Sequence, residues 1–360
     1  MKVLKYLQFF ILCSVQFAFA QLESKSIPME TSAWNAPAKA SVKFESFDGR
    51  NTMLLNGKIT VNDLNFSSGT LEVDVYAKTA RSFAGIIFRE KEGTMEEVYM
   101  RLHKSQQPDA VQYTPTFKHE LAWQLYKEYQ ANVMFKNAGW NRLRIEVAKT
   151  TATVFVNDEK VLTVDHLKTD RIEGSVGLFA LFTNRFSNFK ITHKNSSHSE
   201  SSTHKATVSN PNIIKTWKLT EAFPYTENAI TFDQISHKKY RTVHTEASGL
   251  LPISKYVEKP SSGNFEANKE VYTVVKTTIN STTERTQRFS FDYSDKIIVY
   301  INGEAVFYGN NAFRSKGNQY QGHVDINANM LQLKLKKGEN TIHCVVIDKA
   351  NGWGILGKLL

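Results

Sequence analysis

The sequence predicts an all-β protein built from two antiparallel β-sandwich domains that a Ser/His-rich linker joins. Short runs in which apolar and polar residues alternate recur along the chain, and this period is typical of antiparallel strands that bury one face. Turn pairs such as Asn56-Gly57 and Glu173-Gly174 separate these runs. One stretch without any large apolar residue, 193–205, divides the chain into two halves.

Several runs in the first half predict strands. TLEVDVYA at 70–77 and LRIEVA at 143–148 alternate strictly, whereas FAGIIFR at 83–89 is a more continuous apolar run. Many short strands with turns between them favour a sandwich over a helical fold. The segment 120–129 comes closest to a helical period, so we expect a helical turn there.

The second half repeats this pattern with different strands. EVYTVVKTTI, KIIVYING and NTIHCVVID alternate in the same way, and Asn302-Gly303 is a two-residue hairpin turn. In the last run Ile342, Cys344 and Val346 share one face, so Cys344 is predicted to be a buried strand residue.

The N-terminal residues predict export. Lys2 and Lys5 precede an apolar run that ends in the small-residue pattern Ala18-Phe19-Ala20, which is typical of a secretory signal peptide at 1–20. No other run approaches the ~20 apolar residues of a membrane-spanning helix, so no transmembrane segment is predicted. The expected location is secreted or periplasmic.

The predicted organisation has four parts. They are a signal peptide at 1–20, a first β-sandwich at 38–193, a linker at 194–210 and a second β-sandwich at 211–360. The chain is basic, with 45 Lys and Arg against 35 Asp and Glu, but these charges are dispersed. Dispersed charge and export together argue against a nucleic-acid partner.

Motifs in the first half suggest a family. FAGIIFRE at 83–90, AGWNRLRIEVAKTTATVFVNDEKVL at 138–162 and GSVGLFALFTNRFSNFKI at 174–191 resemble, in this order, a concanavalin A-like or laminin G-type jelly roll. The resemblance extends to the 3-keto-disaccharide hydrolase-like domains of secreted bacterial proteins. It implies a jelly-roll fold and carbohydrate as the partner. Such jelly rolls often bind calcium, but the sequence contains no D-x-D-x-D-G loop to place an ion.

Two motifs in the second half resemble a galactose-binding-like jelly roll. They are FDYSDKIIVYINGEAVFYG at 291–309 and LKLKKGENTIHCVVIDKANGWGILGKL at 333–359. The resemblance implies a second sandwich of the kind that accompanies glycan-active enzymes, without naming its ligand.

The segment PDAVQYTPTFKHELAWQLYKEY at 108–129 is the candidate site. Its Tyr and Trp rings have an apolar face and a polar tip, which suits sugar rings and their hydroxyls, and amide side chains lie between them. We expect it to rise over a solvent-facing sheet surface on which Arg101 and His103 share one side of a strand. The alternative is that Trp123 belongs to the core and the tyrosines cap an edge. The predicted ligand-binding residues are Arg89, Arg101, His103, Gln112, Tyr113, Trp123 and Tyr126.

Other chemistries lack their motifs. His119-Glu120 is not followed by the second histidine of H-E-x-x-H, and no G-x-S-x-G is present, so no metal and no catalytic residue is assigned. A glycosidase needs two carboxyl groups about 5–10 Å apart. Glu72 and Asp74 have a suitable spacing but fit an exposed strand face, and the glutamates Glu90, Glu92, Glu96 and Glu97 read as a charged loop.

Three functions remain open. The preferred one is a secreted, non-catalytic protein that binds carbohydrate on its first domain. The alternatives are a glycan-cleaving hydrolase of the 3-keto-disaccharide hydrolase-like kind, and an adhesion or scaffolding protein that meets another protein on the same aromatic face.

Overall fold

A computed structural model describes residues 23–78, 80–194, 211–259 and 268–360. The predicted signal peptide and the linker residues 195–210 lie outside the described residues. The fold class is confirmed: the described chain is almost entirely antiparallel β-sheet, and the residue patterns described above form most of its strands.

The first half contains fourteen strands in its described residues. They are β1 (Glu23–Ile27), β2 (Trp34–Asn35), β3 (Ser41–Phe47), β4 (Arg50–Val61), β5 (Gly69–Tyr76), β6 (Phe83–Lys91), β7 (Thr94–Met100), β8 (Val111–Phe117), β9 (Glu120–Leu121), β10 (Gln130–Ala131), β11 (Trp140–Val147), β12 (Ala152–Val156), β13 (Glu159–Val164) and β14 (Ser175–His193). Short 3₁₀ turns occupy Thr31–Ala33, Leu102–Lys104, Trp123–Leu125 and Lys127–Tyr129. The last two lie in the segment where a helical turn was expected.

These strands form a two-layer sandwich. Sheet I has the order β2-β4-β14-β6-β7-β8-β10, and sheet II has the order β3-β4-β14-β5-β11-β12-β13. Strands β4 and β14 run through both layers: 177–181 of β14 pair with β6, and 185–193 pair with β5. One apolar core fills the space between the layers. Strand alternation therefore gives every strand of sheet I a core-facing and an outer side.

The second half forms a smaller sandwich. Its strands are β15 (Thr216–Leu219), β16 (Phe223–Pro224), β17 (Arg241–His244), β18 (Leu251–Pro252), β19 (Val271–Ser281), β20 (Arg285–Ser294), β21 (Lys296–Ile301), β22 (Glu304–Asn310), β23 (Asn329–Leu335), β24 (Gly338–Asp348) and β25 (Gly354–Leu359), with short helices α1 (Phe232–Ser236) and α2 (Ile253–Tyr256). One sheet has the order β17-β15-β19-β24-β21-β22 and the other β18-β25-β20-β23. Cys344 is buried in β24 with Ile342 and Val346, as predicted.

An extensive interface joins the two halves. Phe117, Ala122, Leu125 and Tyr126 of the first half form an apolar cluster with Leu250, Val324 and Leu356 of the second. Beside this cluster, the buried Lys259 ammonium lies 2.8 Å from Glu120 and 2.5 Å from Asp348. The second part of the candidate segment, 117–129, therefore packs between the halves, and its first part is strand β8 inside sheet I. The expectation that the whole segment rises over the sheet is wrong.

Candidate functional site

The outer face of sheet I carries a row of residues that crosses six strands. The strand registers place them directly opposite one another, and we call them the central row: Lys58, Phe179, Gly85, Tyr99, Gln112 and Gln130. Their neighbours along the strands, such as Ile86, Val98 and Leu178, belong to the core. With adjacent strands about 4.8 Å apart, the row is about 24 Å long.

A second row lies beside it. This carboxylate row consists of Thr60, Gly177, Ile87, Glu97 and Thr114. Both rows contain a glycine, because a Cβ at Gly85 would lie 2.1 Å from the Val98 carbonyl oxygen and one at Gly177 would lie 1.8 Å from that of Ile59. The middle of the outer face, which we call the glycine floor, therefore lacks side chains at Gly85 and Gly177, because the backbone of the neighbouring strand lies close to each glycine.

Glu97 is the chemically unusual member of this face. Its side chain is 0% exposed, and Lys58 donates to Oε2 at 2.7 Å. Oε1 is buried and has no hydrogen-bond partner. A buried carboxylate oxygen without a donor is costly, so a native structure that keeps one raises the question of what binds there. Lys58 is one third exposed and connects this carboxylate to the solvent side.

Aromatic rings surround the glycine floor. The rings of Tyr99 and Phe179 meet edge to face at 5.9 Å, and Phe83 lies 6.1 Å from Tyr99. Phe182, whose ring is 44% exposed, continues this set beside Phe83. Arg81 lies over both phenylalanine rings. The rings form an aromatic rim along one side of the outer face.

Arg101 and Gln112 form a hydrogen-bonded cluster with Tyr99. The guanidinium donates to Gln112 Oε1 and, at 3.0 Å, to the Tyr99 hydroxyl, and it also donates to the Asp109 carbonyl at 2.7 Å. It lies 5.9 Å from the centre of the Trp123 ring. Gln112 donates at 2.9 Å to the Trp123 carbonyl. The structure thus brings together three of the predicted residues, Arg101, Gln112 and Trp123.

His103 lies at the margin of this group. Its Nδ1 is 3.0 Å from the Ser82 carbonyl, and its ring contacts Phe83 at 5.2 Å. Burial lowers the pKa of His103 from its ordinary value, and the hydrogen bond with the Ser82 backbone acts in the opposite direction. The expectation that His103 shares a strand with Arg101 is wrong, because β7 ends at Met100 and His103 belongs to a 3₁₀ turn.

Arg89 lies away from the cluster. A left-handed backbone at Arg89, with φ of 55°, accompanies an irregularity of the β6–β7 pairing and turns the side chain towards the end of the sandwich. There the buried guanidinium donates to the carbonyls of Ser67, Ala148 and Arg171. The side chain ties three loops together, and the structure does not place it with Arg101.

Tyr113 and Tyr126 also lie elsewhere. Tyr113 faces the core of the sandwich and donates to Glu96 at 2.5 Å. Tyr126 is fully buried between the halves and donates to Glu246 of the second half at 2.6 Å. Both rings fit the alternative of core or edge packing. Whether any of the seven predicted residues contacts a ligand stays a prediction.

Of the four glutamates assigned to a charged loop, Glu92 lies in the turn between β6 and β7, but the other three are strand residues, so the expectation is wrong for Glu90, Glu96 and Glu97. Glu96 and Glu97 both lie in β7 and are fully buried, on opposite faces of sheet I. Asp74, by contrast, is held by Arg50 and Arg142 at 2.9 Å each, which makes it an ion-pair centre of sheet II. The alternation in TMEEVYM places Glu97 on the same strand face as Tyr99 and could have identified β7, although it does not reveal the partner Lys58.

Among the described residues, no group of three or more His, Cys, Asp or Glu side chains could hold a metal ion, and whether the protein binds calcium stays untested. His198 and His204 of the linker lie outside the described residues. In the described part of the chain, no helix is long and apolar enough to cross a membrane. A separate open cleft of about 740 Å³ lies at one end of the first sandwich, lined by polar residues that include Asn62, Asp63, Glu90 and Arg171.

Comparison with known proteins gives one family match. Residues 31–192 match the family described as a 3-keto-alpha-glucoside-1,2-lyase-like domain. This match supports the family expected for the first half. The galactose-binding-like resemblance of the second half stays a prediction. A comparison with curated proteins found no match.

Several solved structures are similar to this chain. Carbohydrate-binding module CBM66 from Bacillus subtilis is 14% identical, covers 44% of this chain and 96% of its own, and has a TM-score of 0.33. A putative glycosyl hydrolase from Parabacteroides distasonis is 14% identical, with 48% and 100% covered and a TM-score of 0.34. A β-glucanase from Bacillus licheniformis is 11% identical, with 48% and 98% covered and a TM-score of 0.34.

Proposed function

We propose that the protein is exported by its N-terminal signal peptide and binds carbohydrate on the outer face of sheet I. The observation that carries this proposal is the unpaired Oε1 of Glu97. This oxygen is buried beside the glycine floor, and Glu97 lies two residues before Tyr99 on the same face of β7. A carboxylate oxygen accepts hydrogen bonds and cannot donate them, so its natural partner is a hydroxyl group. Sugars supply several hydroxyls on one small ring.

The surroundings of Glu97 fit such a ligand. Phe179 and Phe83, which are partly exposed, offer apolar faces and edges against which the C–H side of a sugar ring packs, and the buried Tyr99 ring contacts both of them. Lys58 and Arg101 donate hydrogen bonds, and Gln112 both donates and accepts. Apolar walls with a few convergent polar groups are typical of small-molecule sites. The family match to residues 31–192 adds independent support for a glycan as the ligand class.

The test is a glycan panel followed by calorimetry. The panel contains maltohexaose, cellohexaose, laminarihexaose and their disaccharides, applied to the full chain and to Tyr99→Ala and Glu97→Gln. We expect binding of at least one sugar and a loss of about tenfold or more in each variant, since one lost charge-assisted hydrogen bond weakens binding by about 1.5–3 kcal/mol.

Matched controls lie far from the outer face. Tyr308→Ala removes a ring that is 53% exposed on β22, and Glu92→Gln neutralises an exposed glutamate that pairs with Arg171. Both controls should bind like the wild type. Wild-type affinity in Tyr99→Ala and Glu97→Gln, or no binding to any sugar, would contradict the proposal.

A second candidate function is cleavage by elimination, and the pairing of Glu97 with Lys58 favours it. Hydrolysis by two carboxylates needs a second carboxyl group across the sugar. The two rows, as the described residues define them, supply one carboxylate, Glu97. Elimination from a 3-keto glycoside needs a single base, because the ketone acidifies the neighbouring C2–H bond.

The atoms of this step balance without a cofactor. Glu97 takes the proton from C2, the C1–O bond breaks, and the departing alkoxide takes up a proton from water to become an alcohol, after which Glu97 returns its proton to the solvent. The products are that alcohol and a 1,2-unsaturated 3-keto sugar. The Lys58 ammonium stabilises the enolate oxygen that forms on the way.

Methyl 3-keto-α-glucopyranoside tests this candidate. Release of methanol together with ultraviolet absorption of the conjugated ketone is expected for the wild type. Glu97→Gln should reduce the rate by at least a hundredfold, whereas Glu92→Gln should leave it unchanged. Binding without turnover in the wild type excludes the elimination and leaves the recognition function.

A further inference from the structure

The second half of the molecule reaches the end of the central row. Its segment between β22 and β23 is bound to the first half by the main chain: Gln124 Nε2 donates to the Gln321 carbonyl at 2.8 Å, and the Val324 amide donates to the Gln124 carbonyl at 3.2 Å. Lys127 pairs with Asp325 at 2.7 Å just beyond. This segment therefore has a fixed position against the first half.

Two side chains of the segment stand beside the Arg101 cluster. The ring of His323 meets the Trp123 indole edge to face at 5.5 Å, and the ring of Phe313 meets it at 5.7 Å. The Arg101 guanidinium lies 5.9 Å from the centre of the same indole. Trp123 thus contacts both Arg101 of the first half and two rings of the second half. It is buried at the boundary between the halves and not inside the core of either sandwich.

A chain of polar groups crosses the boundary between the halves. Gln130, the last residue of the central row, donates at 3.2 Å to Gln112 Oε1, and its Nε2 lies 3.3 Å from His323 Nε2. Arg101, Gln112, Gln130 and His323 therefore follow one another without interruption. The central row does not end at the edge of sheet I; His323 continues it.

The protonation state of His323 suits a hydroxyl ligand. Burial, followed by the charge of Arg101, lowers the pKa of His323 to about 4, so the imidazole is neutral at physiological pH. A neutral imidazole has one donor and one acceptor nitrogen, the same combination that a sugar hydroxyl offers. His323 and Phe313 are both half-buried, so neither is sealed inside the interface.

The interface that holds this segment is built to be stiff. Besides the apolar cluster, Glu246 of the second half accepts from Tyr126 at 2.6 Å and pairs with Lys168 at 3.2 Å. Lys259 bridges Glu120 and Asp348 in a buried position. Removing one member of such a buried network costs several kcal/mol, so the halves are held in one arrangement. A site that spans both halves is therefore formed before a ligand arrives.

We propose that the second half completes the glycan site, with Phe313 and His323 contacting the far end of an extended oligosaccharide that lies along the central row. The inference rests on the proposed function. It assigns a binding role to the second half, and it makes the ligand an oligosaccharide of several units, since the row of about 24 Å is much longer than one sugar ring.

Calorimetry on the full chain tests the inference with the three glucohexaoses and their disaccharides. His323→Ala and Phe313→Ala should each weaken the binding of the bound hexaose about tenfold and weaken the binding of its disaccharide less, because a disaccharide that contacts Tyr99 and Glu97 covers only part of the row. Tyr99→Ala should weaken the binding of both.

An interface control separates contact from support. Gln124→Ala removes the side-chain hydrogen bonds to the carbonyls of Gln321 and Gly322 that hold the segment 311–324, without removing a residue of the row. An equal loss of hexaose affinity in Gln124→Ala and His323→Ala overturns the inference, because the histidine would then act only through the interface. Wild-type hexaose binding in both His323→Ala and Phe313→Ala also overturns it, while the Tyr99→Ala result decides the proposed function separately.

Discussion

The two faces of sheet I carry adjacent buried glutamates with opposite surroundings. On the core side, Glu96 Oε1 accepts from the amide and hydroxyl of Thr169 at 2.9 and 2.7 Å, and Oε2 accepts from Tyr113 at 2.5 Å. On the outer side, Glu97 has one donor, Lys58, and leaves Oε1 unpaired. Both side chains are equally buried.

This difference separates a structural role from a binding role. Burial raises the pKa of Glu96, and its hydrogen bonds with Tyr113 and Thr169 oppose that rise. A carboxylate with all its partners in place holds the loop of Thr169 against sheet I and has nothing left to offer a ligand. Glu97 keeps one oxygen, Oε1, without a hydrogen-bond donor, and it lies on the face of sheet I that is not packed against sheet II. Burial alone therefore does not distinguish the two glutamates, whereas their hydrogen-bond partners do.

The largest effect that tests this comparison is on Glu96. Glu96→Ala leaves Tyr113 and Thr169 with buried donors and no acceptor, so we expect the free energy of unfolding to fall by about 4 kcal/mol. Urea denaturation measures this. A loss below about 1 kcal/mol would show that the core-side carboxylate is not the structural tie described here.

The glycine floor gives the next largest effect. Gly177→Ala places a methyl group against the Ile59 carbonyl, and we expect a loss of about 3 kcal/mol because the strands must separate. Gly139→Ala is the matched control, since its Cβ would lie 3.5 Å from the nearest atom, a normal contact. Equal stability of the two variants in thermal unfolding would contradict the close packing of β4 and β14.

A third test concerns an unpaired buried group in the second half. His343 lies against Phe232 and Tyr240, its Nδ1 lacks a partner, and burial followed by Lys276 lowers its pKa to about 4. The pKa of a histidine in the unfolded chain is about 6.5, so the unfolded state takes up a proton before the folded state does. The stability contribution of His343 is therefore fully present above pH 6.5 and is lost as the pH falls towards 4.

Between pH 7 and pH 5 the wild type should therefore lose about 2 kcal/mol of unfolding free energy relative to His343→Leu. Chemical denaturation at the two pH values gives this difference directly. A constant difference between wild type and variant across this range would show that His343 titrates normally, and that its unpaired nitrogen carries no cost.

The smallest stability effect should come from Glu97. In Glu97→Gln the Lys58 pair is lost, but a buried carboxylate with an open position also disappears, so the two changes offset and we expect a shift within about 1 kcal/mol. The same variant should lose glycan binding. A stability loss as large as that of Glu96→Ala would remove the distinction between the two faces.

The fold was largely predictable from the sequence, and the site was predictable only in part. Strict alternation, as in TLEVDVYA and in the strand of Cys344, identified strands and their buried sides. The aromatic and amide residues near 112–123 did lead to Gln112 and Trp123, which lie together with Arg101. The alternation of apolar and polar residues within one strand is a local property of the sequence, so these features could be predicted without knowing the fold.

The remainder depends on contacts that no local pattern contains. Glu96 and Glu97 read as a charged loop, because buried carboxylates are rare and their partners Thr169 and Lys58 are distant in sequence. Arg89 was misplaced because its left-handed backbone breaks the alternation. His323 gave no signal, since its position follows from the packing of the two halves.

The most direct measurement is a crystal structure of the full chain with the best-binding hexaose from the panel. The account predicts a sugar chain along the central row, with a hydroxyl within hydrogen-bond distance of Glu97 Oε1 and a ring against Tyr99. A sugar bound only in the cleft lined by Asn62, Asp63 and Arg171, with Glu97 Oε1 still unpaired, would contradict it.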